Sequence, residues 1–271
     1  MSATPASEND LAATIAAECE QRGLAVPPAA VAGLAAYAEQ LWSWNERLNL
    51  TRHTDVERFV CRDVADAVAI APHIAEGERV LDVGTGGGVP GVLLAILRPD
   101  LSVELSESVG KRAAAVESIV RGIGLHVPVH ARAGQALVAE TPFDTLVMRA
   151  VAPLAKLLGW FEPLAGRYGR LLVIKGPRWE AEKGEARHRG LVKKVRIRRV
   201  AAWPLHGSDN ESVLLEIRGR AAAPPPVARP RPRSGPSLPT SAGCRPTGPA
   251  SAPVGPAALR RRLGASHLGG V

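Results

Sequence analysis

Arg79-Val80-Leu81-Asp82-Val83-Gly84-Thr85-Gly86-Gly87-Gly88-Val89-Pro90-Gly91 is the stretch that decides how this chain folds. An apolar strand ends at Asp82, and four of the next six residues are glycine. Glycine lets a backbone turn sharply and approach a ligand with no Cβ in the way. Pro90 suits the first position of a helix. The stretch therefore reads strand, glycine turn, helix.

Downstream, short β-branched runs alternate with helical ones. Besides Arg79–Val83, strands are expected over 101–105, 127–131, 145–148, 170–174, 192–200 and 212–217, with helices over 92–97, 111–121 and 154–164. That alternation predicts an α/β fold, a seven-stranded and mostly parallel sheet covered by helices on both faces. No long helical pattern separates the last two strands, and His206-Gly207 suggests a tight antiparallel return. Upstream, Leu11, Ile15 and Ala16 recur at helical spacing, as do Val31, Leu34, Ala35, Ala38, Leu41 and Trp42. Pro27 and Pro28 divide these two helices, and a third is expected over 56–70, just before Pro72. The division is thus a helical extension over 1–74, an α/β domain over 75–220, and a remainder over 221–271.

That remainder holds 11 of the 23 prolines and seven arginines, with no Asp, Glu or Lys. Such a composition buries too little apolar surface to offset chain entropy, so a disordered Pro/Arg-rich tail is expected. It also carries +7 of the net +8; residues 1–220 hold 27 basic against 26 acidic side chains, leaving +1. Overall basicity therefore says nothing about the folded part, and a nucleic-acid partner must be argued from local features. No run approaches 18 uncharged apolar residues, which excludes a membrane-spanning helix from the sequence. The polar start Met1–Asp10 lacks a signal-peptide pattern. Cys19, Cys61 and Cys244 lie far apart, without metal-ligand spacing, which favours a reducing cytoplasm.

Two ligand classes use a loop of this kind. The dinucleotide pattern G-x-G-x-x-G matches at Gly86, Gly88 and Gly91, but it sets Pro90 inside the motif, where a lost N–H weakens a pyrophosphate site. The alternative register runs Asp82, Gly84, Gly86, Gly88 and fits at all four positions. It resembles the first motif of Rossmann-like class I S-adenosylmethionine-dependent methyltransferases. Glu107 stands 19 positions after Gly88 at the end of the second strand, where a carboxylate can accept from both ribose hydroxyls. Glu104, inside that strand, is the lesser candidate.

Further stretches align in order with one family: Trp44-Asn-Glu-Arg-Leu-Asn-Leu-Thr51, Arg62-Asp-Val-Ala-Asp66, Gly88-Val-Pro-Gly91, Glu107-Ser-Val-Gly-Lys-Arg112, Met148-Arg-Ala150 and Ile174-Lys-Gly176. Over about residues 30–217 the chain resembles the bacterial 7-methylguanosine methyltransferases of small-subunit ribosomal RNA, also called glucose-inhibited division protein B. The resemblance implies a class I fold with an N-terminal helical extension, S-adenosylmethionine as cofactor, and ribosomal RNA or the small ribosomal subunit as partner. It implies a soluble cytoplasmic enzyme without metal, expected to be a monomer. For the cofactor it points to Gly84, Val89, Glu107, Ala133, Gly134 and Arg149, to which the loop register adds Asp82, Gly86 and Gly88. The sequence departs from the family where Glu107 replaces a frequent Asp, Asp63 a frequent His, and Ala133-Gly134 a frequent Val-Glu.

Guanine N(7) carries a lone pair and no proton, so methylating it needs no general base. Orientation is the main requirement, and it can lower a barrier by ~7–11 kcal/mol. The catalytic candidates are therefore Arg149, just past the fourth strand, and Lys175, ending the fifth. Arg149 could hold a carboxylate, a carbonyl or phosphate, or it could pair with Asp144 or Glu107. Lys175 could meet phosphate. Asn45, Asn49, Arg62 and Asp66 are the RNA candidates from the helical extension, although Asn49 could cap a turn and Arg62 could pair with Asp66 along a helix. The basic run 187–199 reads as an RNA-binding or charge-protected edge strand. The rival functions are a small-molecule methyltransferase, which needs a closed apolar pocket, a nicotinamide-dependent oxidoreductase, which needs a pyrophosphate site, and an RNA-binding module without activity.

Overall fold

A computed structural model describes residues 8–205 and 209–220. The expectations for 221–271 and for the His206-Gly207 return lie outside the described residues. Seven strands, β1 (Arg79–Val83), β2 (Ser102–Ser106), β3 (Val129–His130), β4 (Phe143–Arg149), β5 (Tyr168–Lys175), β6 (Val195–Pro204) and β7 (Glu211–Gly219), form one sheet in the order β3-β2-β1-β4-β5-β7-β6. Strands β1 to β5 pair in parallel, while β7 runs antiparallel to both β5 and β6. The chain leaves β1 toward one edge and returns at β4 toward the other. The crevice at the carboxyl ends of β1 and β4 is thus the topological switch point, where open α/β sheets bind ligands.

Alternation along the strands builds two cores, one on each face. Val80, Val147, Leu172 and Ile174 face one cluster, and Leu81, Leu146, Met148, Leu171 and Val173 face the other. The helical extension belongs to the first cluster. Helices α1 (Glu8–Gln21) and α2 (Val31–Asn45) contribute Ile15, Leu34 and Leu41 to the same core as α5 (Gly91–Leu97) and α6 (Gly110–Gly122). Next comes a helical stretch in three parts: α3 (Val56–Arg58), a π-turn (Phe59–Val64) and α4 (Ala65–Ile70). Its start is capped by Asp55, whose side chain accepts the Arg58 N–H at 2.8 Å. The second face is covered by α7 (Gly134–Glu140), α8 (Leu154–Phe161) and α9 (Trp179–His188).

The structure differs from the pattern reading at three places. Helices α7 and α9 carry no sequence signature. α9 buries only Ala186, so it has no apolar stripe to read. Residues 192–194 belong to a 3-10 turn, Leu191–Lys194, because Gly190 at φ +74° ends α9 and the chain must unwind before β6 starts at Val195. β6 then alternates as expected, with Val195 buried and Arg196 and Arg198 exposed, on the sheet edge.

Candidate active site

Four strand ends converge on the crevice. β1 delivers Asp82 and the glycine turn, β2 Glu107, β4 Arg149 and β5 Lys175. Asp82 is fully buried, and its Oδ2 accepts from Thr85 Oγ1 at 2.6 Å and from the Gly91 N–H at 2.8 Å. Burial pushes its pKa up to about 6, against the lowering effect of those two hydrogen bonds and of Arg149. A carboxylate thus caps the amino end of α5, where a dinucleotide enzyme would receive pyrophosphate. The turn itself runs through left-handed backbone at Gly84, Gly86 and Gly88, with φ of +68°, +60° and +112°. At Gly91 the need for glycine is contact instead, since a Cβ there would lie 2.7 Å from Asp82 Oδ2. From behind, Tyr37 on α2 donates its hydroxyl to Gly87 O at 2.9 Å.

Glu107 reaches across to this turn. Its Oε2 accepts the Gly86 N–H at 3.1 Å and its Oε1 the Val109 N–H at 2.8 Å, which leaves each oxygen a further lone pair. Val89 is buried ahead of a cis bond to Pro90. Ala133 precedes α7, and Gly134 opens it so close to the sheet that a Cβ would lie 2.8 Å from Val83 Cγ1 and 2.9 Å from Ser106 Oγ. Two buried polar atoms on this lip, Asp82 Oδ1 and Ser106 Oγ, have no hydrogen-bond partner. Close backbone approach, an acidic acceptor after β2 and polar atoms awaiting partners fit the amino-acid and ribose parts of S-adenosylmethionine. Glu104, the lesser candidate, is engaged in ion pairs with Arg79 and His130.

Arg149 has partners other than those weighed from sequence. Neither Asp144 nor Glu107 pairs with it. Its Nη1 bonds Asp63 Oδ1 at 2.6 Å and Asp66 Oδ2 at 3.0 Å, both in the π-turn and α4 of the helical extension. Asp63 and Asp66 stand three residues apart along one helical stretch, so both carboxylates can meet one nitrogen. The network continues through His53 Nδ1, 2.9 Å from Asp63 Oδ1, and Trp203 Nε1, which donates to Asp66 Oδ1 at 3.1 Å. Burial would lower the Arg149 pKa, but Asp63 and Asp66 more than offset it and hold the guanidinium above its ordinary value. Both bonds leave from Nη1, and the side chain keeps 22% exposure.

The remaining candidates separate. Asn45 Oδ1 accepts the Leu50 and Thr51 N–H groups at 2.7 and 2.9 Å, so Asn45 does the capping considered for Asn49, which is exposed. The helical Arg62–Asp66 pair does not form, because Asp66 is turned inward to Arg149 and Trp203. Lys175 is buried, with Nζ 2.6 Å from Ala152 O and 2.7 Å from Glu182 Oε2. Tyr37, His53, Thr85, Glu182 and Trp203 were not singled out from sequence. Only Thr85, inside the glycine turn, carried a local signal. Among the described residues no group of three or more His, Cys, Asp or Glu could hold a metal, and no helix is long and apolar enough to cross a membrane.

The switch-point crevice, the acidic-x-Gly-x-Gly-x-Gly turn and the carboxylate after β2 define a Rossmann-like S-adenosylmethionine-dependent methyltransferase. Residues 31–206 match the family of rRNA small subunit methyltransferase G, and the chain belongs to that family. It is 48% identical over 186 residues to the ribosomal RNA small subunit methyltransferase G of Rhodopirellula baltica, covering 69% of this chain and 80% of that one. The protein of the same name from Cronobacter sakazakii is 37% identical over 165 residues, covering 60% and 79%. Among solved structures, an rRNA methylase from Streptococcus thermophilus superposes with a TM-score of 0.43 at 16% identity, over 58% of this chain and 96% of that one.

Proposed function

We propose that this protein, a cytoplasmic monomer, transfers a methyl group from S-adenosylmethionine to N(7) of one guanine in small-subunit (16S) ribosomal RNA. The bound cofactor supplies the methyl on a sulfonium that leaves as a neutral thioether. Asp82, Gly84, Gly86, Gly88, Val89, Glu107, Ala133 and Gly134 would hold it. Arg149 orients the acceptor through guanine O6 or phosphate. Asn45, Asn49, Arg62 and Asp66 belong to the RNA side, Asn45 and Asp66 through the loop and the guanidinium they hold. No proton has to be removed from N(7), and the site accordingly offers position and charge. His53 and His130 are both engaged with carboxylates.

The observation that carries this reading is the Asp82 cap on α5, which supports the methyltransferase register over the dinucleotide one. A small-molecule acceptor would call for an enclosed apolar pocket. Two open cavities, of about 410 and 570 Å³, lie at Ala95–Pro99–Pro128 and between α8 and α9. Calorimetry tests the cofactor half directly. S-adenosylmethionine should bind in the micromolar range and NAD should not; the reverse would overturn the reading.

A further inference from the structure

Lys175 stands on the carboxyl edge of the sheet, where a lysine could meet phosphate, yet its ammonium points inward. Its side chain is only 7% exposed. Nζ donates to Ala152 O and pairs with Glu182, and the same Glu182 Oε2 accepts the Leu154 N–H at 2.8 Å. Lys175 and Glu182 therefore hold Ala152 and Leu154 in one short segment, residues 151–154, between β4 and α8.

That segment walls the crevice. It begins just past Arg149 and Ala150, and Val151 packs against the glycine turn so closely that a Cβ on Gly84 would lie 3.1 Å from Val151 Cγ2. Ala150, between Arg149 and Val151, has φ +55°, a conformation that residues with a Cβ seldom adopt. Such a residue persists where its surroundings over-determine it, and it marks functional sites. Here the surroundings are the Arg149 ion pairs on one side and the Lys175–Glu182 grip on the other.

We propose that Lys175 and Glu182 are positioning residues for methyl transfer: through Ala152 and Leu154 they fix the wall against which the acceptor base is aligned, and Lys175 does not bind RNA phosphate. The inference rests on the methyl-transfer reading above.

The two roles for Lys175 predict different outcomes for Glu182→Gln. If the ammonium served phosphate, Glu182→Gln would release it and tighten RNA binding. If it serves the wall, Glu182→Gln slows transfer and leaves binding alone. The full chain, its Glu182→Gln, Lys175→Met and Lys175→Arg variants, S-adenosylmethionine and small-subunit ribosomal RNA suffice. Single-turnover methylation, RNA affinity across a salt series and thermal unfolding are measured side by side. We expect Glu182→Gln and Lys175→Met each to lower the rate ~10–100-fold, since small misplacements cost that much. RNA affinity and its salt slope should stay as in the wild type, and Lys175→Arg should recover part of the rate.

A salt slope shallower by roughly 0.7–0.9 in Lys175→Met, the signature of one lost phosphate contact, would overturn the proposal, as would tighter RNA binding by Glu182→Gln. Lowered melting temperatures with an unchanged rate per folded molecule would overturn it too, since the grip would then be structural only. Should Lys175→Met fail to fold, Glu182→Gln decides alone. A wild-type protein that transfers no methyl to the RNA would instead remove the underlying reading, before any variant is compared.

Discussion

Arg149 stands between two carboxylates from a distant part of the chain, and that fixes what its removal does. Arg149→Ala leaves Asp63 and Asp66 buried without the guanidinium that pairs with both, and breaking a buried pair in this way costs about 3–5 kcal/mol. Urea unfolding should show that loss, and activity per folded molecule should fall as well, because the crevice loses its fork. Arg149→Lys should restore stability more fully than activity, since a point charge satisfies the carboxylates but cannot replace a planar fork. Unchanged unfolding of Arg149→Ala would show that the pairs are not formed in solution. Asp82 gives a second test at this scale. Its pKa, raised from 3.8 to about 6, means that the folded state keeps the proton longer than the unfolded one. Its contribution to stability is therefore full below pH 3.8 and is lost as pH rises through about 6, amounting to about 3 kcal/mol. In the cofactor-free protein, Asp82→Asn should remove that fall, so the variant should gain on the wild type between those pH values. A stability difference independent of pH would contradict the assignment. Asp82 and Glu107 were legible in the sequence because each sits at a strand end beside the turn it serves. The partners of Arg149 were not, being 83 and 86 residues away with no local pattern to announce them.

The glycine turn depends on α2 as much as on its own glycines. Tyr37→Phe removes the donor to Gly87 O at a fully buried position, and an unmet buried acceptor costs ~1–3 kcal/mol. Because the loss falls on the ligand-facing turn, calorimetry should find cofactor affinity reduced several-fold beside the lowered melting temperature; unchanged affinity would show that the turn stands without this prop. Gly91→Ala should be worse, since the new methyl would meet Asp82 and Leu105 and force α5 away from β1. Strands of the parallel core were readable as apolar runs because both their faces are buried. α7 was not, being seven residues with no side-chain cap, and α9 was not, because half of its ten residues are charged and only Ala186 is buried. Missing α9 also hid Glu182, and with it the reason Lys175 faces inward.

Over the whole molecule, every described buried residue falls between Ile15 and Ile217. Removing 221–271 should therefore leave melting temperature and cofactor affinity unchanged. RNA affinity should fall modestly and its salt slope become shallower, because that segment carries seven arginines. A large drop in melting temperature would contradict this. The mostly parallel sheet was legible in the alternation of strands and helices, whereas the order of its strands was not, and the whole-chain charge misdirects, since +7 of the +8 is carried by residues 221–271. The reaction is defined by a single atom, N(7) of one guanine, and scission of the RNA at that base reports on it. Small-subunit ribosomal RNA is incubated with the protein and S-adenosylmethionine labelled in the methyl group, then treated with borohydride and aniline, which cut the chain at 7-methylguanosine. The account predicts label on the RNA and a new cut at one guanine. Label without a cut, or no label at all, would contradict it.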